Sequence, residues 1–273
     1  MKRIIAGLAV AAMSTLVTAA PAQAAPVNPV KALQKQLKPG HGVRVSETNR
    51  TFTDGKETRS GKTTGVLEFG KSGVVASDLT TRVKIPKGAS AEMAEMLRGI
   101  SNARAISVGG DTYMQGGLFS EELPEGKKWV RYEGVQAAGT EQVIDVFDAK
   151  LLKALVAKAK VVKGDYAGAL TAKELGKLTG AKITGNVGKI KISYLLDVDS
   201  KGLIKRVVSD YTLDFGLLGK TRAVTESRYT GWGGKVKVVA PPESQWVDLH
   251  DLGKDTELPS ELPGKGLHSL DQR

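Results

Sequence analysis

The chain of 273 residues contains no cysteine, only three histidines, and aromatic residues at 5% of the total. Without cysteine there is no disulfide framework, no thiolate nucleophile and no thiolate metal site. The histidines, His41, His250 and His268, lie at the edges of the patterned sequence, so neither a His-based metal centre nor a Ser-His-Asp triad can be assembled from them. Scarce aromatics also argue against single-stranded nucleic acid as a partner, because such binders use stacking platforms, even though 40 Lys and Arg against 29 Asp and Glu give a formal charge of +11. No catalytic residue, cofactor or metal is expected, and no nucleic acid. What is present is an ordinary globular composition, 41% apolar and 25% charged.

Long apolar runs are absent except at the start. Met1-Lys2-Arg3 is a positive n-region, Ile4 to Thr18 is apolar, and Ala22-Gln23-Ala24 is a small-residue cleavage signal. Residues 1–24 therefore read as a secretory signal peptide. The run is too short for a bilayer span and Pro21 interrupts its end. With no cysteine to accept the N-terminal lipid of a bacterial lipoprotein, the expected product is secreted and not lipid-anchored.

The next segment, Asn28 to Leu37, is a helix candidate closed by Pro39-Gly40, after which strand and hairpin patterns take over. Gly42–Thr53 and Lys56–Phe69 flank Asp54-Gly55, a type I′ hairpin dipeptide. Gly70-Lys71-Ser72-Gly73 leads into Val74–Ile85, where Val75, Leu79 and Val83 share a face with Ser77 and Thr81. Ser90–Leu97 reads as a short covering helix. A hairpin over Ala103–Val108 and Thr112–Gln115 follows, then a loop from Gly116 to Gly126 and a strand at Lys128–Tyr132. Asp148–Lys160 is the clearest helix, with Leu151, Leu152, Leu155, Val156 and Ala159 on one stripe. Thr171–Leu178 opens on a capping box, Thr171 with Glu174. The last third reads as strands over Lys189–Val198, Leu203–Phe215 and Thr221–Thr230, with an edge strand at Val236–Ala240 and a polar tail over 250–273. The pattern predicts an α+β fold, one antiparallel sheet of about nine to eleven strands with helices on one face, in a single domain over 25–249.

Four motifs in the chain look like chemistry. Gly65 to Ser72 satisfies the phosphate-loop spacing, but Val-Leu-Glu-Phe inside it is strand sequence and another strand follows, so no helix N-terminus is available to hold phosphate. Asp197 to Val208 begins like a calcium loop yet places Lys201 and Val208 where ligands are needed, and it reads as a hairpin turn. Glu121-Glu122 are adjacent on a loop, an arrangement typical of solvated acids. Lys150 to Lys163 carries five lysines, whose readings are a solvated helix face or a contact to polyanions or anionic head groups.

Strand alternation places Ile190, Ile192, Tyr194, Leu196 and Val198 on one face, and Val207, Ser209, Tyr211, Leu213 and Phe215 on one face of the next strand. Such a surface either packs on helices or curves around an apolar cavity, and periodicity is compatible with both.

The passage Ala105-Ile106-Ser107-Val108-Gly109-Gly110-Asp111-Thr112-Tyr113-Met114 leads to Lys128-Trp129-Val130 and a Leu/Ala/Lys helix. Tyr194 to Asp199, Gly202 to Val207 and the closing Val236-Lys237-Val238-Val239-Ala240-Pro241-Pro242 complete the order. In this the chain resembles the actinobacterial LppX/LprG-type lipoproteins, whose fold is similar to LolA and RseB. The resemblance implies an antiparallel half-barrel with helices filling its concave face and an apolar cavity for acyl chains of lipids or lipoglycans in transit across the envelope. The strand and helix faces would then supply its lining: Leu67, Phe69, Leu79, Ile106, Val108, Leu152, Leu155, Ile192, Tyr194, Leu196, Tyr211 and Leu213. Lys153, Lys158 and Lys160 would meet head groups. The expected protein is a monomeric, non-enzymatic lipid carrier whose partners are an acyl lipid or lipoglycan and the envelope membrane surface or a transporter. The alternatives are a surface protein that binds polyanions through its basic face and an envelope sensor similar to RseB.

Overall fold

The computed structural model describes residues 27–86, 101–120, 123–136, 140–214 and 219–253, together with Ala91, Ala94, Gly216, Leu258 and Leu262. The segment expected as a signal peptide, most of the covering helix expected at Ser90–Leu97, Glu121-Glu122 and Phe215 lie outside them. No helix among the described residues is long and apolar enough to cross a membrane.

Three α-helices and twelve strands that lie fully among the described residues make a mixed α+β fold built on one open, curved sheet. Helix α1 is Pro29–Gln36, α2 is Ala149–Lys158 and α3 is Ala172–Thr179. The strands are β1 His41–Thr53, β2 Lys56–Phe69, β3 Val74–Lys84, β4 Ala103–Val108, β5 Asp111–Gln115 and β6 Trp129–Tyr132. They continue with β7 Lys160–Val162, β8 Asp165–Thr171, β9 Lys191–Val198, β10 Ile204–Asp214, β11 Lys220–Lys235 and β12 Trp246–Asp248. Their order is β12-β6-β5-β4-β3-β2-β1-β11-β10-β9-β8-β7, and every neighbouring pair is antiparallel except β12 with β6.

Local chemistry explains the elements. Asp54 and Gly55 both take positive φ, 49° and 80°, which matches the twist of the β1–β2 hairpin. Asn28 and Asp148 cap α1 and α2 through side-chain oxygens, and Thr171 with Glu174 closes the capping box on α3. The phosphate-loop match runs from within β2 into the turn before β3, so it carries no helix and Gly65 serves packing: a Cβ there would lie 2.0 Å from the Asp78 carbonyl oxygen.

Several details differ from expectation. Helix α2 ends at Lys158, and Lys160 begins the hairpin β7–β8, turned at Lys163-Gly164, both with positive φ. That hairpin hides in a Lys-rich stretch with the composition of a helix end. Val236–Ala240 is not a strand: Val238 is buried on the outer face of the sheet, where its N–H donates to Glu68 Oε2 at 2.7 Å. The closing edge strand is β12 instead. Together these changes bring the count to twelve. Val75 is 45% exposed although Leu79 and Val83 are buried, because a register shift pairs Phe69 with Val74 and Glu68 with Ala76 and leaves Val75 as the extra bulged residue. From the segment expected as a polar tail, Leu258 is buried against Phe119, Val130 and Tyr132.

Candidate functional site

Cross-strand partners share a face, so register sorts the side chains into an inner face, covered by the helices, and an outer one. On the inner face Leu67, Phe69, Leu79, Leu152, Leu155, Ile192, Tyr194 and Leu196 all join one buried cluster with Val43, Val45, Tyr166, Leu170 and Leu175. Tyr211 packs at its margin half-buried, and Leu213 is half-buried further out. Tyr194 also ties sheet to helix, its hydroxyl donating to the Leu155 carbonyl at 2.8 Å. Burial raises the Tyr194 hydroxyl pKa above its ordinary value.

Ile106 and Val108 are not part of this group. Ile106 pairs with Asp78 and Tyr113, and Val108 with Asp111, on the outer face. There Ile106 packs with Ala76, Tyr113, Trp129 and Val238. The segment after β11 covers that face, so β4 has apolar neighbours on both sides and alternation alone does not say which is inner. Lys153, Lys158 and Lys160 are exposed. Lys158 is held by Glu174 at 2.9 Å, and Lys160 stands on β7 rather than on the helix. With Thr171 donating from its backbone and Lys158 alongside, the Glu174 carboxyl falls to about 2.

An aromatic group occupies one end of the inner face. Gly231-Trp232-Gly233, with glycine φ of 67° and 73°, interrupts the β1–β11 register and turns Trp232 inward. Its ring lies 5.8 Å from Phe69, 5.7 Å from Phe147 and 6.0 Å from Tyr229, and its Nε1–H donates to the Ile204 carbonyl at 3.0 Å.

Beyond the apolar cluster the inner face turns polar. One rung across the sheet reads Thr81, Thr63, Glu47, Ser227, and the next reads Gly61, Asn49, Thr225, Ser209. Glu47 is 0% exposed, Asn49 3% and Ser209 0%. An extended strap, residues 140–147, crosses this floor: the Glu141 N–H donates to Glu47 Oε1 at 2.6 Å and Ser227 Oγ donates to Glu47 Oε2 at 2.7 Å. Gln142 Nε2 donates to the Thr225 carbonyl and to Ser227 Oγ, and Val143, Ile144, Val146 and Phe147 then enter the cluster. Burial dominates at Glu47 and pushes its carboxyl up to about 7 against the opposing pull of its hydrogen bonds. Burial also raises Tyr229, with Glu47 adding to the effect.

Glu47, Asn49 and Gln142 are not among the residues expected from the sequence. A signal was present, since the inward phase of β1 runs Val43, Val45, Glu47, Asn49 and so changes from apolar to polar within one strand. Among the described residues, Asp248, His250 and Asp251 bring ligand atoms close enough for a cation, but both Asp248 oxygens are taken by Arg131.

No protein-family model and no curated protein sequence matches the chain. Among solved structures it is similar to a LolA superfamily protein from Nitrosomonas europaea, at 13% identity over 79% of this chain and 94% of that one, with a TM-score of 0.30. It is also similar to a DUF1329 family protein from Desulfovibrio piger, at 13% identity over 78% of this chain and 96% of that one, with a TM-score of 0.30.

Proposed function

We propose that the protein is a secreted, non-enzymatic carrier that holds the acyl chains of a lipid or lipoglycan between the inner face of its sheet and the covers of that face. The observation that carries this reading is the construction of the cover. One broad sheet face is closed by three short helices and an irregular strap, separate pieces that can part from the sheet without unpairing a strand. The strap is fastened near one end by Glu47 and Gln142 and inserts four apolar side chains beyond them. Burying an acyl chain gains about 0.8 kcal/mol per CH₂, from which the cost of exposing the displaced strap side chains is subtracted, so a chain longer than the side chains it replaces is retained with few polar contacts. The resemblance to LppX/LprG-type proteins supports the same cargo. The absence of cysteine makes the carrier diffusible.

Native mass spectrometry of the protein purified from its own host, followed by solvent extraction, tests the reading. A stoichiometric acyl lipid is the expected result. A bare-chain mass together with no binding of added lipid would overturn it. Binding through the basic surface, with Lys153 and Lys160 on the α2–β7 side, would instead show strong weakening by salt and no acyl preference.

A further inference from the structure

Four described residues bury side-chain polar atoms that have no hydrogen-bond partner: Asn49, Arg59, Asp197 and Ser209. Native proteins leave few such atoms, and each one calls for an explanation. Three of the four share the inner face of the sheet, spread over β2, β1 and β10. Asn49 and Ser209 belong to one rung of the inner face with Thr225 between them, and Arg59, paired with Thr51, stands on the next rung of β2. A Cβ at Gly61 would meet Asn49 Oδ1 at 2.9 Å, so the amide lies over β2. Both Asn49 amide atoms, Arg59 Nε and Ser209 Oγ are the free groups.

Their chemistry limits what can satisfy them. The amide offers donors and an acceptor, the hydroxyl offers one of each, and Arg59 Nε offers a donor. The Arg59 charge is already met by Glu141, 2.7 Å from Nη2. An anion would find no uncompensated cation here and would face Glu47 on the neighbouring rung. A neutral group that both donates and accepts fits, and it would lie beside Tyr194 and Tyr211, where the apolar cluster begins.

The geometry points to Asn49, Ser209 and Arg59 as the binding site for the neutral polyol ester end of an acyl lipid, reached when the strap over Thr225 and Ser227 lifts. This rests on the carrier reading and adds to it where the polar end is held and what its chemistry is.

The test is displacement of dansyl-labelled undecanoic acid from the full secreted chain by monopalmitoylglycerol and by methyl palmitate, which share an acyl chain and differ in free hydroxyls. Wild type is expected to prefer monopalmitoylglycerol by about tenfold, the worth of one to two net hydrogen bonds. Asn49→Leu and, separately, Ser209→Ala should lose most of that preference while holding methyl palmitate as before, with melting temperatures no lower than wild type. Ser209→Ala removes a single atom and keeps the test valid should Asn49→Leu fold poorly. An unchanged preference in Ser209→Ala and in folded Asn49→Leu, or no preference in wild type, would overturn the site and leave the carrier reading standing. Failure of the dansyl lipid and both esters to bind at all would overturn both.

Discussion

Replacing Glu47 by glutamine removes a charge from the floor of the inner face and leaves its hydrogen-bond geometry nearly intact. The amide oxygen still accepts from the Glu141 N–H, and the amide nitrogen donates to Ser227 Oγ where the carboxylate accepted from it. The wild-type carboxyl sits at about 7 when folded against an ordinary 4.5. Between these values the folded chain binds more protons than the unfolded one, so stability falls as pH rises through the window, the reverse of an ion-paired carboxylate. The upward shift integrates to roughly 2 to 3 kcal/mol between pH 5 and pH 8. Other groups titrate alike in both proteins. Urea unfolding at the two pH values should therefore show the wild type losing roughly 2 to 3 kcal/mol more than Glu47→Gln on going from pH 5 to pH 8. The variant should also be the more stable protein at pH 8. A variant with the wild-type pH dependence, or one destabilised equally at both pH values, would refute the assignment of a buried, proton-binding Glu47.

Thr171→Ala takes away the cap of α3 and should lower stability by about 1 kcal/mol in thermal or urea unfolding, with Glu174 losing its partner at the same time. Gly65→Ala should cost about 1 to 3 kcal/mol, because the new Cβ meets backbone of β3, the Asp78 carbonyl oxygen and Leu79 Cα, which cannot move aside. A phosphate-binding role for that glycine would instead appear as lost nucleotide binding with stability unchanged. Leu155→Ala, in the fully packed part of α2, should cost about 2 to 5 kcal/mol, read from the shift in urea midpoint. If acyl chains occupy this interior, added lipid should restore more stability to Leu155→Ala than to wild type, as measured by melting with and without monopalmitoylglycerol.

Much of the local architecture was legible. Asp54-Gly55, the capping oxygens of Asn28, Asp148 and Thr171, and the glycine turns act within a few residues, so their effect can be read without knowing the rest of the fold. The β7–β8 hairpin was not, because lysines and alanines continue the helix pattern of α2 up to a turn that only Lys163-Gly164 marks. The bulge at Val75 was equally hidden, since one skipped residue leaves the alternation of β3 looking regular.

The buried inner face was legible in part. Phase along β9 and along α2 identified Ile192, Tyr194, Leu196, Leu152 and Leu155 as one buried face, because a single apolar stripe faces a single core. The same logic failed at Ile106 and Val108, where the segment through Val238 buries the opposite face as well.

The sequence by itself determined that no cysteine is present, where the β1–β2 turn and the cap of α3 fall, and which stripes of α2 and β9 are apolar, since these depend on residue type and near neighbours. The tertiary structure alone decided that β1 lies beside β11, far along the chain, and that a strap crosses the resulting floor. It thereby decided the state of Glu47 and Asn49, because the cost of a buried polar group is set by what the rest of the chain places around it.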